Sequence, residues 1–329
     1  MPNVTFSDIQ AAEQRIRPYA KHTPIVGSQL LNTWLGHEIF FKVECFQKTG
    51  AFKLRGALNM MLKAQEEGRL GQRVVANSSG NHAQAVAYAA KILGIKATIF
   101  SPQNVSKVKA AATQYYGAEL DLSPTRKIAD ERVVSAAKEE GVLYVPPFNH
   151  PHIMAGQGTV VLEALKEIGE VNAVFAPVGG GGLVSGSAIS ARGLFPKTKI
   201  FGSEPLIAND AAQSLRKGSI QSLPEQPNTL ADGAATLQVG AETFGHLQAL
   251  DGIYEINERQ IAYWTQWLQH LLKVHVEPTS AMSMDAVTQW LVKQTSPQKI
   301  LVVLSGGNID QQKMQKIWSE DHLQRLPTL

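Results

Sequence analysis

The chain has 329 residues, enough for two domains and a sizeable core. Its 44% hydrophobic and 18% charged residues are the composition of a soluble globular protein, and 31 basic against 28 acidic residues leave a net charge of only +3. No Lys/Arg run forms a patch, which argues against a nucleic-acid partner, and no apolar run is long enough to span a membrane.

The opening residues, Met1-Pro2-Asn3-Val4-Thr5-Phe6, carry no basic-then-apolar leader, and a single cysteine, Cys45, permits no intrachain disulfide. Both fit a cytoplasmic protein. Cys45 reads as a small buried hydrophobe in a strand rather than a nucleophile, since no histidine pairs with it nearby in sequence.

In chain order, Ser7 is expected to cap a helix that runs to Arg17, and His22-Thr23-Pro24 to end it. Residues 38–44 read as a strand and 46–50 as a turn. Residues 52–68 read as one helix, with Leu54, Ala57, Leu58 and Met61 on its apolar face. From Val74 to Pro147, strands at 74–76, 97–100, 119–122 and 143–145 alternate with helices at 84–93, 106–115 and 127–140. After a loop rich in Pro, Asn and His, strands follow at 173–176, 199–202 and 300–304. Such alternation implies parallel sheets with helices on both faces. The expected fold class is α/β in two lobes, each an open, mostly parallel sheet flanked by helices. Residues 1–65 and 152–329 would form the larger lobe and residues 66–151 a smaller inserted one.

Five turns carry candidate chemistry. Ser78-Ser79-Gly80-Asn81-His82 links a strand to an Ala-rich helix, and its free backbone N–H groups suit an anion such as a carboxylate. The plainer reading is an ordinary helix cap. Gly179-Gly180-Gly181-Gly182 also lies between a strand and a helix. Four residues without side chains let a phosphate approach the backbone, forming an anion nest. No Lys-Ser/Thr follows and no acidic ribose partner stands about 20 residues on, so a phosphate is indicated and a whole nucleotide is not. Ser305-Gly306-Gly307-Asn308 ends a strongly apolar strand, at the carboxyl edge where open α/β sheets bind ligands. It serves equally as a plain strand-ending turn. Glu204 and Asp210 flank a strand end and would give a hard divalent cation oxygen ligands, although solvated loop charge explains them as well. Lys53 follows a glycine turn. On the residues alone it reads as a first-turn surface lysine, unless burial lowers its pKa.

Six stretches, in order, resemble the fold-type II pyridoxal-phosphate enzymes, specifically the serine/threonine dehydratase and serine racemase group (tryptophan synthase β-like in fold). They begin at Phe46 (FQKTGAFKLRGA), Ser78 (SSGNHAQ), Ala155 (AGQGT), Pro177 (PVGGGG), Glu277 (EPTS) and Leu304 (LSGGN). The resemblance implies that Lys53 forms the internal aldimine with pyridoxal phosphate and shuttles the α-proton. It implies that Phe52 packs on the ring, Asn81 bonds the ring 3-oxygen, Gly179 to Gly182 hold the phosphate, Gly233 lines the ring and Ser305 meets its nitrogen. Ser78, Ser79, Gly80, Asn81 and His82 would hold the substrate carboxylate. Ser79, a serine where typical threonine dehydratases have alanine, would act as a second acid/base opposite Lys53 and permit racemisation. Hydroxyaspartate dehydratases carry this serine too. Ala83 departs from the glycine usual in racemases. Glu204, Asp210 and the carbonyl of Ala208 match the group's Mg²⁺ or Ca²⁺ loop.

The implied reaction is β-elimination from L-threonine or L-serine to 2-oxobutanoate or pyruvate plus ammonia. L-threo-3-hydroxyaspartate is the alternative substrate, and a β-replacement enzyme of the cysteine-synthase kind the more distant alternative. A non-catalytic phosphate-binding protein is the rival of another class. The small-molecule partner is an amino acid, the family suggests a homodimer, and isoleucine feedback is not expected. Arg126 and Arg132 are the cations nearest to hand for a second substrate carboxylate, but read first as solvated helix charge.

Overall fold

The computed structural model describes residues 4–78 and 80–329. The first helix, Phe6–Ile16, is capped by Thr5 and not by Ser7: the Thr5 hydroxyl accepts from the Asp8 N–H, and the Asp8 carboxylate accepts from the Thr5 N–H at 2.8 Å. The Asp8 carboxylate three residues on closes this reciprocal cap, so the helix starts two residues earlier than the Ser7 cap expected from the sequence.

Among the described residues ten strands form two sheets. They are β1 (Ile25–Gly27), β2 (Glu38–Val43), β3 (Arg73–Asn77), β4 (Lys96–Pro102), β5 (Glu119–Ser123), β6 (Val142–Tyr144), β7 (Ala173–Pro177), β8 (Lys199–Pro205), β9 (Gly252–Ile256) and β10 (Lys299–Leu304). The larger sheet runs β1-β2-β10-β7-β8-β9, with β1 antiparallel on the edge and the rest parallel. The smaller, β5-β4-β3-β6, is parallel throughout. This is the α/β class expected from the sequence, with parallel and mixed sheets flanked by helices.

The central strands are apolar along their whole length because helices cover both faces: Leu301 to Leu304 and Ala173 to Ala176 are fully buried. Edge strands β1 and β9 are short or only half-buried, which is why pattern alone did not reveal them. The helix expected at 127–140 runs from Arg126 to Ala136 only. Cys45 is not in a strand: it sits half-buried in a single helical turn, Glu44–Phe46, just after β2. Burial, with Glu277 and Glu44 nearby, raises its thiol pKa and leaves it unreactive.

Two devices set the site. First, the carboxyl ends of β2, β3, β7 and β10 lead into the Lys53 turn, the Ser78 turn, the glycine run and the Ser305 turn. Second, the Lys53 turn is zipped to the Ser305 turn. Ala51 bridges Gly306, the Phe52 N–H donates to the Ser305 carbonyl at 2.9 Å, and the Gly307 N–H donates to the Gly50 carbonyl at 2.9 Å. Gly50 takes φ 71° to make that approach.

Behind this turn lies a buried ionic cluster. Arg55, wholly buried, donates to both oxygens of Glu44 at 2.8 Å and to Glu163 at 2.7 and 2.8 Å, and Lys42 also meets Glu163 at 3.0 Å. It ties the helix Lys53–Glu66 to β2 and to the helix Pro151–Ile168.

Candidate active site

A cleft of about 670 Å³ brings the sequence-predicted turns together. Phe52, Lys53, Ser78, Gly80, Asn81, His82, the glycines from 179 to 182, Gly233 and Ser305 all line it. Ser79 lies outside the described residues. Glu204, Ala208 and Asp210 are not among the cleft-lining residues.

The glycine run is a cradle that only glycine fits. A Cβ on Gly180 would lie 2.3 Å from ring atoms of Phe148, and one on Gly182 would lie 2.5 Å from Gln157 Oε1. Gly181 takes φ 94°, which a side chain resists. The helix that follows, Gly182–Leu194, presents its first N–H groups at the same place. Oriented N–H groups, the positive helix end and no side-chain obstruction fit the phosphate of pyridoxal phosphate.

Lys53 opens its helix, and its Nζ donates to the Pro147 carbonyl at 2.7 Å. Burial lowers its pKa to about 8, although Glu277 works to hold it up. The amine also lies 5.1 Å from the centroid of the Phe52 ring. These are the surroundings in which a lysine becomes a nucleophile near neutral pH. Ser305 is buried, with its hydroxyl 3.0 Å from that of Ser280.

In the Ser78 turn, the Gly80 N–H donates to the Ser78 hydroxyl at 3.2 Å, and the helix Asn81–Leu93 begins behind it. The His82 ring is already engaged: it bonds the Val145 carbonyl at 2.8 Å. A carbonyl only accepts, so Nε2 carries the proton. Burial and the Lys53 charge lower the ring's pKa to about 3 and keep it neutral. Any hold of residue 82 on a carboxylate therefore runs through its backbone N–H. The Asn81 amide is also engaged: it donates to both Glu277 oxygens at 3.0 and 3.1 Å and accepts from Asn308 at 2.9 Å.

Sequence reasoning missed several groups. Glu277 is buried, and its pKa is pushed up to about 7 by burial and by Asp232. Lys109, buried, reaches across to Asp232 at 2.8 Å, and Lys313 meets the same oxygen at 2.9 Å. Burial opposes the Lys109 charge, but Asp232 prevails and raises the pKa. Glu277 stood within a quoted motif and was signalled by it; Lys109 and Lys313 carried no signal. Of the two arginines, Arg126 lines the cleft but stays exposed on its helix, 4.0 Å from Asp130, in keeping with solvated helix charge. Arg132 pairs with Asp121 and is not among the lining residues.

Away from the cleft, Glu204 is buried and accepts from the Ala211 and Ala212 N–H groups at 3.2 and 2.7 Å. Asp210 is buried too, and its Oδ2 has no partner among the described residues. Burial raises Glu204 to about 8, with Asp210 adding to it, and burial raises Asp210 to about 7.

Comparison with known proteins identifies the family. The family described as "Pyridoxal-phosphate dependent enzyme" matches residues 16–306. The L-threo-3-hydroxyaspartate ammonia-lyase of Saccharomyces cerevisiae is 42% identical over 314 residues, 94% of each chain. The serine racemase of Schizosaccharomyces pombe is 40% identical, covering 93% of this chain and 94% of its own. The solved threonine deaminase of T.th. superposes with a TM-score of 0.88 at 40% identity, covering 93% of this chain and 99% of that one. The chain belongs to the pyridoxal-phosphate-dependent enzymes of fold type II, among the ammonia-lyases and serine racemases.

Proposed function

We propose that this enzyme eliminates the β-hydroxyl of L-threonine and L-serine, releasing 2-oxobutanoate or pyruvate and ammonia, with serine racemisation as a companion activity. The observation that carries the reading is Lys53, a desolvated amine in a cleft shared with a glycine phosphate cradle. When bound, pyridoxal phosphate supplies an aldehyde that bonds amines and a ring that draws electrons from the α-carbon.

In this reading Gly179 to Gly182 hold the phosphate by backbone N–H groups, Phe52 and Gly233 flank the ring, Ser305 faces the ring nitrogen and Asn81 the ring oxygen. The turn from Ser78 to His82 holds the substrate carboxylate at a helix N-terminus. Lys53 takes the α-proton on one face, and Ser79 is proposed to serve the other. The larger lobe is proposed to be residues 1–65 and 152–329 and the smaller one 66–151. In support, the four-stranded sheet draws all its strands from 73–144. A cytoplasmic homodimer completes the proposal.

Mg²⁺ or Ca²⁺ is proposed at Glu204, Asp210 and the Ala208 carbonyl. Two neighbouring buried carboxylates, one with an unpartnered oxygen, favour a hard cation.

A second reading, preference for L-threo-3-hydroxyaspartate, is favoured by Arg126 and Lys109 in the cleft, cations suited to a second carboxylate. Keto-acid release from L-threonine, L-serine and L-threo-3-hydroxyaspartate, with and without EDTA, tests both readings. A wide margin for hydroxyaspartate selects the second. No keto acid from any of the three, with a visible cofactor band intact, overturns elimination.

A further inference from the structure

The AGQGT stretch beginning at Ala155 has been given no role in the chemistry. Its glycines and threonine are explained by packing. A Cβ on Gly156 would lie 2.5 Å from the Arg55 carbonyl, one on Gly158 would lie 2.8 Å from the Gly186 carbonyl, and the Thr159 hydroxyl accepts from Arg55 at 3.2 Å. Gln157 is different. It is almost wholly buried, yet it does not bond within this packing. Its Nε2 donates to the Pro147 carbonyl at 3.2 Å, the same oxygen that accepts Lys53 Nζ at 2.7 Å. Its Oε1 is buried with no partner among the described residues and lies against Gly182, the last glycine of the cradle.

A carbonyl oxygen has two lone pairs and accommodates both donors. Lys53, however, has to leave that oxygen when its amine adds to the cofactor aldehyde and water departs. Without Gln157, that departure would leave the part-buried Pro147 carbonyl with no protein donor among the described residues, at the cost of a lost hydrogen bond.

We propose that Gln157 is a positioning residue for Lys53: it keeps the Pro147 carbonyl paired when the lysine leaves for the cofactor, and it marks where the amine rests when released. The assignment rests on the reading of Lys53 as the cofactor lysine. Gln157 suits the task because it is neutral and donates without adding charge beside the amine. It is also held in register by the close helix contact at Gly156.

Two cofactor forms test it. Pyridoxal 5′-phosphate has an aldehyde that condenses with Lys53. Pyridoxine 5′-phosphate has the same ring and phosphate but an alcohol, and leaves the lysine on Pro147. In Gln157→Leu and Gln157→Met the affinity for the aldehyde form is expected to fall about three- to tenfold, the loss of one hydrogen bond at a part-buried carbonyl. Affinity for the alcohol form should stay within about twofold, since no partner is lost. Equal losses for both forms would make Gln157 part of the phosphate cradle or of the fold, and no loss for either would make it a spectator. Both results overturn the proposal.

A readout on the unaltered chain covers the case in which neither variant folds. The Gln157 side-chain amide resonance, assigned with ¹⁵N-glutamine, should shift on adding the aldehyde form and not the alcohol form. The same shift with both, or with neither, refutes the idea. The underlying reading fails separately: if Lys53→Ala binds the aldehyde form as tightly as the parent chain and keeps its visible band, the lysine assignment is wrong whatever Gln157 does.

Discussion

The amine of Lys53 offers the most direct check on the site. Only a neutral amine attacks an aldehyde, so the rate at which the cofactor-free protein captures pyridoxal phosphate tracks the deprotonated fraction. Burial lowers the pKa from 10.5 to about 8. At pH 7 about one amine in ten is then neutral, against roughly three in ten thousand for a solvated lysine, a gain of about 300-fold in nucleophile. Stopped-flow growth of the visible band between pH 6 and 10 should show a rate that climbs about tenfold per unit and levels off near pH 8. Glu277 holds the ammonium up, so Glu277→Gln should move the midpoint below that of the parent chain. A rate that still climbs tenfold per unit between pH 8.5 and 10 would refute the reasoning, because it would mean a hydrated amine.

The other predictions address neighbouring parts of the molecule. Gly180→Ala pushes a methyl against Phe148 and should weaken cofactor binding more than about tenfold by titration, while the fold holds. Arg55→Met strands Glu44 and Glu163 and should cost about 3–5 kcal/mol in urea unfolding; a loss under about 1 kcal/mol would show the cluster to be dispensable. Glu204 and Asp210 have pKa values raised above their ordinary 4.5 and 3.8, so the native chain binds more protons than the unfolded one. Their contribution is full below about pH 4 and is lost as pH rises through about 7 and 8. A divalent cation should therefore raise Tm more at pH 8.5 than at pH 5.5, and an equal rise at both would remove the cation from this pair. Arg126→Leu should lower kcat/KM for 3-hydroxyaspartate by about 30-fold or more and leave L-threonine little changed; equal losses would deny Arg126 a part in substrate choice.

The elements and turns were legible for local reasons. Strand–helix alternation recurs within a few tens of residues, and the apolar runs of β7 and β10 announce strands buried on both faces. The glycine run has a meaning that follows from lacking side chains, whatever surrounds it. Lys53 was legible only through its motif. By spacing alone it is a first-turn lysine; its pKa is lowered by burial, and its amine bonds the carbonyl of Pro147, 94 residues away.

What the sequence by itself determined is the α/β class, the order of its main strands and helices, and the set of turns at strand ends. These follow from propensity, periodicity and turn chemistry, all read over short windows. What only the tertiary structure decided are the meetings of residues far apart in the chain. Asn81 faces Glu277 across 196 residues, Lys109 reaches Asp232 across 123, and Arg126 comes to the rim of the cleft. Gln157 and Lys53 converge on one carbonyl in the same way. Desolvation and pairing at such sites depend on which surfaces close over one another, and that closure is a property of the packed sheets and not of any local stretch of sequence.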